Sequence, residues 1–136
     1  MEGILKRIQN SDDNQRWSVK LDGKEINVVR KHLDMEESEK DSTILSAARI
    51  LGNCSNPYGE PKRKVGLAIG KVQSGKTSNY ISLTALAFDN NINIVIIFGG
   101  SSKILLRQTN DRVYNNFDIE ERKRNDDRSL AVLTTS

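Results

Sequence analysis

Gly70-Lys71-Val72-Gln73-Ser74-Gly75-Lys76-Thr77 fits the pattern G-x-x-x-x-G-K-[ST] at every specified position. A loop of this kind aims consecutive backbone N–H groups at phosphate oxygens, and the helix it opens turns its positive end toward the same anion. Lys76 is expected to neutralise the terminal phosphates of a nucleotide, and Thr77 to offer its hydroxyl to magnesium. At ordinary residue frequencies a chain of this length shows the pattern by chance at roughly the one-percent level. The flanks add to it. Val65-Gly66-Leu67-Ala68-Ile69 is a short apolar run of the kind that forms a buried strand, and Thr77 to Phe88 lacks proline and glycine while carrying Ile81, Leu83, Ala85, Leu86 and Phe88. Strand, loop and helix in succession predict an α/β fold.

Downstream the alternation continues. Asn93-Ile94-Val95-Ile96-Ile97-Phe98 is a β-branched run closed by Gly99-Gly100, a helix is predicted from about Ser101 to Asn116, a polar loop follows, and Leu130-Ala131-Val132-Leu133 reads as a third strand. The expected architecture is a parallel sheet with flanking helices, Leu106, Thr109, Val113 and Phe117 facing the sheet and Arg107, Asp111 and Tyr114 pointing elsewhere. Upstream, two alternating runs, Arg16 to Leu21 and Lys24 to Val29, flank Asp22-Gly23 and predict a β-hairpin with Trp17, Val19 and Leu21 opposite Ile26 and Val28. A helix capped by Asp41 or Ser42 is predicted to run through Ile44, Leu45, Ala47, Ala48, Ile50 and Leu51 to Gly52, with Asn53 to Pro61 as a loop. The chain thus divides into residues 1–64, a hairpin-and-helix extension, and residues 65–136, the nucleotide-binding part.

Composition narrows the class. A chain of 136 residues is about one domain, and its longest strongly apolar run, Ile92 to Phe98, is far below the eighteen or so residues of a membrane span. The first residues lack a secretory apolar core, so the reading is cytoplasmic, with no membrane partner. Cys54 is the single cysteine, which excludes an internal disulfide and a cysteine-based zinc site, and His32 has no second histidine beside it. The balance of 21 basic against 18 acidic residues, net +3, leans mildly toward acidic partners. Pro61-Lys62-Arg63-Lys64 reads as solvated residues leading into the first strand.

More specific than the bare phosphate-loop pattern is Gly66-Leu67-Ala68-Ile69-Gly70-Lys71-Val72-Gln73-Ser74-Gly75-Lys76-Thr77-Ser78-Asn79-Tyr80, followed by Ile97-Phe98-Gly99-Gly100-Ser101-Ser102-Lys103-Ile104-Leu105-Leu106-Arg107-Gln108-Thr109. These stretches resemble the Z1 domain family, whose loop has the form G-x-V-Q-S-G-K-T-x-N-Y and is followed by a strand and a segment ending in R-Q-T. The resemblance covers about residues 42–136. Members of that family look like superfamily-two helicase-type ATPases linked to bacterial restriction or defence, and they are described as candidate endonucleases. The resemblance implies a RecA-like P-loop domain holding ATP and Mg2+ across Gly70, Lys71, Val72, Gln73, Ser74, Gly75, Lys76, Thr77 and Ser78, with Lys76 and Thr77 in the catalytic roles. It also implies that Arg107, Gln108 and Thr109 are the counterpart of helicase motif Ia, and Thr134 and Thr135 of motif Ib. Those motifs touch the backbone of DNA, for which Gln, Arg and hydroxyl groups are suited.

A phosphate-loop hydrolase also needs an acid at the end of a second apolar strand to hold magnesium. Here one such run ends in Gly99-Gly100 and the other in Thr134-Thr135-Ser136. The expectation is therefore an amino-terminal piece of a longer polypeptide, its sheet incomplete at the carboxyl end and its acid supplied by the remainder of the same chain. No paired-acid and lysine cluster of nuclease spacing is evident. Two other readings remain open: a phosphotransferase of the nucleotide-kinase type, and a nucleotide-sensing interaction module.

Overall fold

A computed structural model of the chain describes residues 16–69 and 76–134, with only the backbone given for Lys76. Among the described residues there are five helices and no β-strand: α1 (Lys24–His32), α2 (Glu37–Gly52), α3 (Lys76–Asp89), α4 (Lys103–Asn116) and α5 (Ile119–Arg124). The central element is α3, which packs against both α1 and α2, while α5 folds back on α4. Ile81, Ser82, Thr84, Ala85, Leu86 and Ala87 are buried, so α3 is covered over most of its circumference. One core joins Ile26, Val29 and Leu33, Ile44, Ala47 and Leu51, Ile81, Ala85 and Leu86, and finally Phe117 and Ile119. Phe88 meets Phe117 edge to face, with ring centroids 6.3 Å apart.

The predicted hairpin is replaced by α1. Residues Ile26, Val29 and Leu33 recur at helical spacing and are all buried, whereas Val28, which a strand would pair with Ile26 on one face, is only half-buried. Two residues just past the core of α3 impose this outcome. The Asp89 carboxylate accepts from Glu25 N at 3.0 Å and from Ile26 N at 2.8 Å, an anion on the positive end of α1. A Cβ at Gly23 would lie 2.1 Å from Asp89 Cγ, so only glycine lets the carboxylate approach. Meanwhile the buried Asn90 amide takes the place of a strand partner for residue 20, accepting from Lys20 N at 2.8 Å and donating to Lys20 O at 3.0 Å. The same amide donates to Leu86 O, and Ile92 N reaches back to Ala87 O across Asn91, which is left-handed at φ 67°, closing α3 as a Schellman motif.

The parallel sheet expected of residues 65–136 is likewise absent from the described residues. The three apolar runs are present as chain without helix or strand, and none is paired with another. Residues 65–69 are exposed throughout. In residues 94–98 exposure alternates with period two: Val95 packs on the helical core and Ile97 is half-buried, while Ile94, Ile96 and Phe98 are exposed. Leu130 and Val132 also pack on the core, yet a cleft of about 970 Å³ lined by both segments lies between them and residues 93–100. A ladder needs its neighbour about 4.8 Å away. Apolar, β-branched composition describes fitness for a pleated surface and does not by itself create one.

Helix bounds differ from expectation in two further places. α2 begins at Glu37, ahead of Asp41 and Ser42, because Arg30 bridges to Glu37 and Asp41 and holds that charged turn against α1. The polar loop after α4 contains α5, held by Arg122, whose guanidinium is buried against Glu25 at 2.5 Å and donates to Phe117 O at 2.8 Å. α4 starts where the sequence suggests, with the Ser102 hydroxyl accepting from Leu105 N. No helix of the described residues is long and apolar enough to cross a membrane.

Candidate nucleotide site

Gly70, Lys71, Val72, Gln73, Ser74 and Gly75 lie outside the described residues, as do the Lys76 side chain and Thr135. The described chain reaches the site from both directions, with exposed residues 65–69 ahead and α3 starting at Lys76 behind. The amides of that first turn have no intrahelical partner, and the turn contains no acidic side chain, whereas α1, α2 and α5 each carry acids there. Thr77 and Ser78 are half-buried in this turn. Asn79 donates from Nδ2 to Ser46 Oγ at 3.0 Å, tying the turn to α2, and Tyr80 turns into the neighbouring cleft.

That cleft, of about 560 Å³, lies between α3 and α4. Thr77, Tyr80, Leu83 and Thr84 form one wall, Leu105, Gln108, Thr109 and Arg112 the other, and residues 95–99 the floor. Of the proposed nucleic-acid contacts, Gln108 and Thr109 therefore face Thr77, while Arg107 points off that wall into solvent. Thr134 lies apart, at the cleft between residues 93–100 and 129–134. Thr109 is also a packing residue, since a Cβ at Gly99 would come within 2.3 Å of its Oγ1. Gly100 adopts φ 130°, a conformation that glycine tolerates, so the Gly99-Gly100 pair serves the crossing of this segment over α4.

Arg112 was not singled out by the sequence. Its Nη1 donates to Thr77 Oγ1, joining α4 to the first turn of α3. The signal was present as spacing: Leu105, Gln108, Thr109 and Arg112 stand at i, i+3, i+4 and i+7, one face of a helix. Reading the motif as the consecutive residues Arg107-Gln108-Thr109 mixes two faces and passes over the residue that completes one of them. His32 is on α1, where Nε2 meets Asp118 Oδ1 at 2.7 Å. Among the described residues no group of three or more His, Cys, Asp or Glu side chains is arranged to hold a metal ion. Comparison of the chain with family models, curated proteins and solved structures returned no match.

Proposed function

We propose that the chain is the nucleotide-binding part of a helicase-like, nucleic-acid-dependent ATPase, with ATP and magnesium held at residues 70–78 and the DNA backbone met by α4. The observation that carries this reading is the complete phosphate-loop pattern running directly into α3, whose second residue faces Gln108 and Arg112 across one cleft. Residues 65–69 do not form the strand that precedes such a loop in its usual setting, so the reading is supported by the loop pattern and the helix it opens. The donor set suits a polyphosphate: open amides, a lysine, a hydroxyl and a guanidinium, with no carboxylate in the first turn of α3. Lys76 and the amides would hold the phosphates, and the Thr77 oxygen is the group suited to magnesium, which when bound neutralises β- and γ-phosphate oxygens. The likeness to Z1 proteins in Gly66 to Tyr80 and Ile97 to Thr109 supports a role on DNA in restriction or defence, and solvent-facing Arg107 has the chemistry for phosphate contact without base reading.

Titration with a fluorescent ATP analogue tests the reading. Lys76→Ala is expected to weaken binding by about one to two decades, the worth of a charge-assisted phosphate contact. Equal affinity in folded wild type and variant removes the nucleotide. DNA titrated at two salt concentrations tests the second half, since backbone binding weakens as salt rises. Replacing Arg107, which points away from the cleft, by Ala is expected to raise the DNA concentration required while leaving ATP affinity nearly unchanged.

A further inference from the structure

We propose that the loop closing α2, residues 53–64, forms with Trp17 a docking surface for single-stranded nucleic acid, one that does not rest on the nucleotide reading. Two aromatic rings lie at its centre. The Trp17 indole N–H donates to Cys54 O at 3.2 Å, and its backbone oxygen lies so close to Gly52 that an added Cβ there would come to 3.4 Å. The half-buried indole is thereby fixed to the end of α2. Tyr58 meets it edge to face, with ring centroids 6.2 Å apart and planes at 76°, and yet is 63% exposed. That contact leaves at least one face of the tyrosine ring open. The backbone beneath the ring is set by Asn56, whose Oδ1 accepts from Tyr58 N at 3.0 Å and whose carbonyl accepts from Gly59 N at 3.2 Å.

Cations gather at the same end of α2. Arg16 Nε donates to Asn53 Oδ1 at 3.1 Å, and Asn53 donates from Nδ2 to Arg49 O at 2.7 Å, one turn earlier on the helix. Lys62 N donates to Ser55 Oγ at 3.1 Å, which folds the loop back and starts the run Lys62-Arg63-Lys64 beside the helix end. These three side chains and Arg49 are exposed, and Glu60 is the only acid in residues 49–64. Because residues 65–69 form no strand, the basic run is not the entrance to one. Charge alone would suit any polyanion, so the open aromatic face decides among partners. A duplex shows its phosphates but keeps its base faces stacked inside. A single strand offers phosphates and unstacked base faces together, and Tyr58 can stack on any base.

Trp17 is the chain's single tryptophan, so its emission reports on the surface it helps to form. The test titrates the 136-residue protein, without ATP, with oligothymidylate and oligouridylate of about twelve nucleotides and with a duplex of the same length. Trp17 emission and the anisotropy of a labelled strand are followed at several salt concentrations. Single strands are expected to bind, to alter the emission and to outbind the duplex; the tighter of the two names the strand's source. Tyr58→Ala should weaken single-strand binding about tenfold, the worth of one stacked base, without changing its salt dependence, and Tyr58→Phe should restore it. Replacing Lys62, Arg63 and Lys64 together by Ala should instead lower the slope of log affinity against log salt by about 2. These positions are exposed, so the variants should melt with wild type; if Tyr58→Ala melts early, Tyr58→Leu, which keeps the bulk without the ring, is measured in its place. Arg107→Ala should leave the emission change intact, and its disappearance there would move the binding to α4 and overturn the inference. So would an emission unmoved by any strand, unaltered affinity in folded Tyr58 variants, or a duplex bound as tightly as the single strands, which would mark a bare cationic surface.

Discussion

Leu86 in α3 is fully buried, while Leu67, in a run of equal apolar character, is 86% exposed. The same contrast divides the molecule. On the helical side Ile26, Val29, Ile81 and Phe117 are sealed between α1, α3 and the end of α4; on the other side Ile96, Phe98 and Leu133 stand at 73%, 93% and 95% exposure. Residue type does not separate the two groups. What differs is whether the backbone is satisfied before side chains pack: a helix closes its own hydrogen bonds and brings a finished apolar stripe to its neighbour, whereas an extended run must find another extended run at ladder distance. Residues 94–98 and 130–133 each lean one face on the helices and leave the other uncovered.

The largest expected effect is at the sealed side. Phe117→Ala should cost about 3 to 5 kcal/mol, while Phe98→Ala should change stability by about 0.5 kcal/mol or less, both read from urea denaturation midpoints. A loss at Phe98 rivalling that at Phe117 would break the contrast by showing residues 92–98 covered in solution. Next comes the buried pair between α1 and α5. Glu25→Ala leaves the buried Arg122 guanidinium with only the longer contact to Asp127, at 3.6 Å, as a carboxylate partner and should cost about 3 kcal/mol, more than any single exposed ion pair of the described residues. Restoration by a second change, Arg122→Met, would sharpen the point that the lost partner, and not the lost contact area, sets the cost.

A smaller effect is expected from the cap that α3 supplies to α1. Asp89→Ala removes the acceptor for Glu25 N and Ile26 N and should cost about 1 to 2 kcal/mol. Hydrogen exchange should quicken first at those two amides; unchanged exchange there would mean that α1 is held without its cap. The smallest effect concerns pH. The Asp127 carboxyl is held well below the usual carboxylate range by the Ser129 hydroxyl, then the Ser129 backbone N–H, then Lys24. A depressed folded-state value means that its contribution is fully present above the ordinary carboxylate value and is lost as the pH falls through and below it. Stability should therefore be insensitive to this group between pH 7 and 5, and Asp127→Asn should flatten only the acid end of the profile. A flattening near neutrality would contradict the assigned partners.

Particular residues show why some features were legible and others were not. α3 and α4 could be read because their apolar spacing, their freedom from proline and glycine, and the Ser102 cap all act within a few residues. α1 could not, because alternating Ile26 and Val28 around Asp22-Gly23 satisfies a hairpin template as well as a helix, and the arbiters, Asp89 and Asn90, are more than sixty residues away in sequence. α5 is six residues long, too short for periodicity to declare it, and its anchor is the Arg122 contact with Glu25 at the far end of the chain. Helical spacing places Arg112 on the face of α4 that carries Gln108, but its contact with Thr77 depends on how α4 crosses α3.

By itself the sequence determined the local matters: the phosphate-loop pattern ending at Lys76-Thr77 and the helices α2, α3 and α4 to within a few residues. Only the tertiary structure decided that residues 24–32 are a helix, that no strand forms among the described residues, and that Arg112 meets Thr77. The physical reason is range. Helical hydrogen bonds and serine caps join residues three or four apart, so composition and spacing report them, whereas strand pairing, a carboxylate cap from another helix and a guanidinium crossing a cleft depend on partners whose arrival the whole chain must arrange.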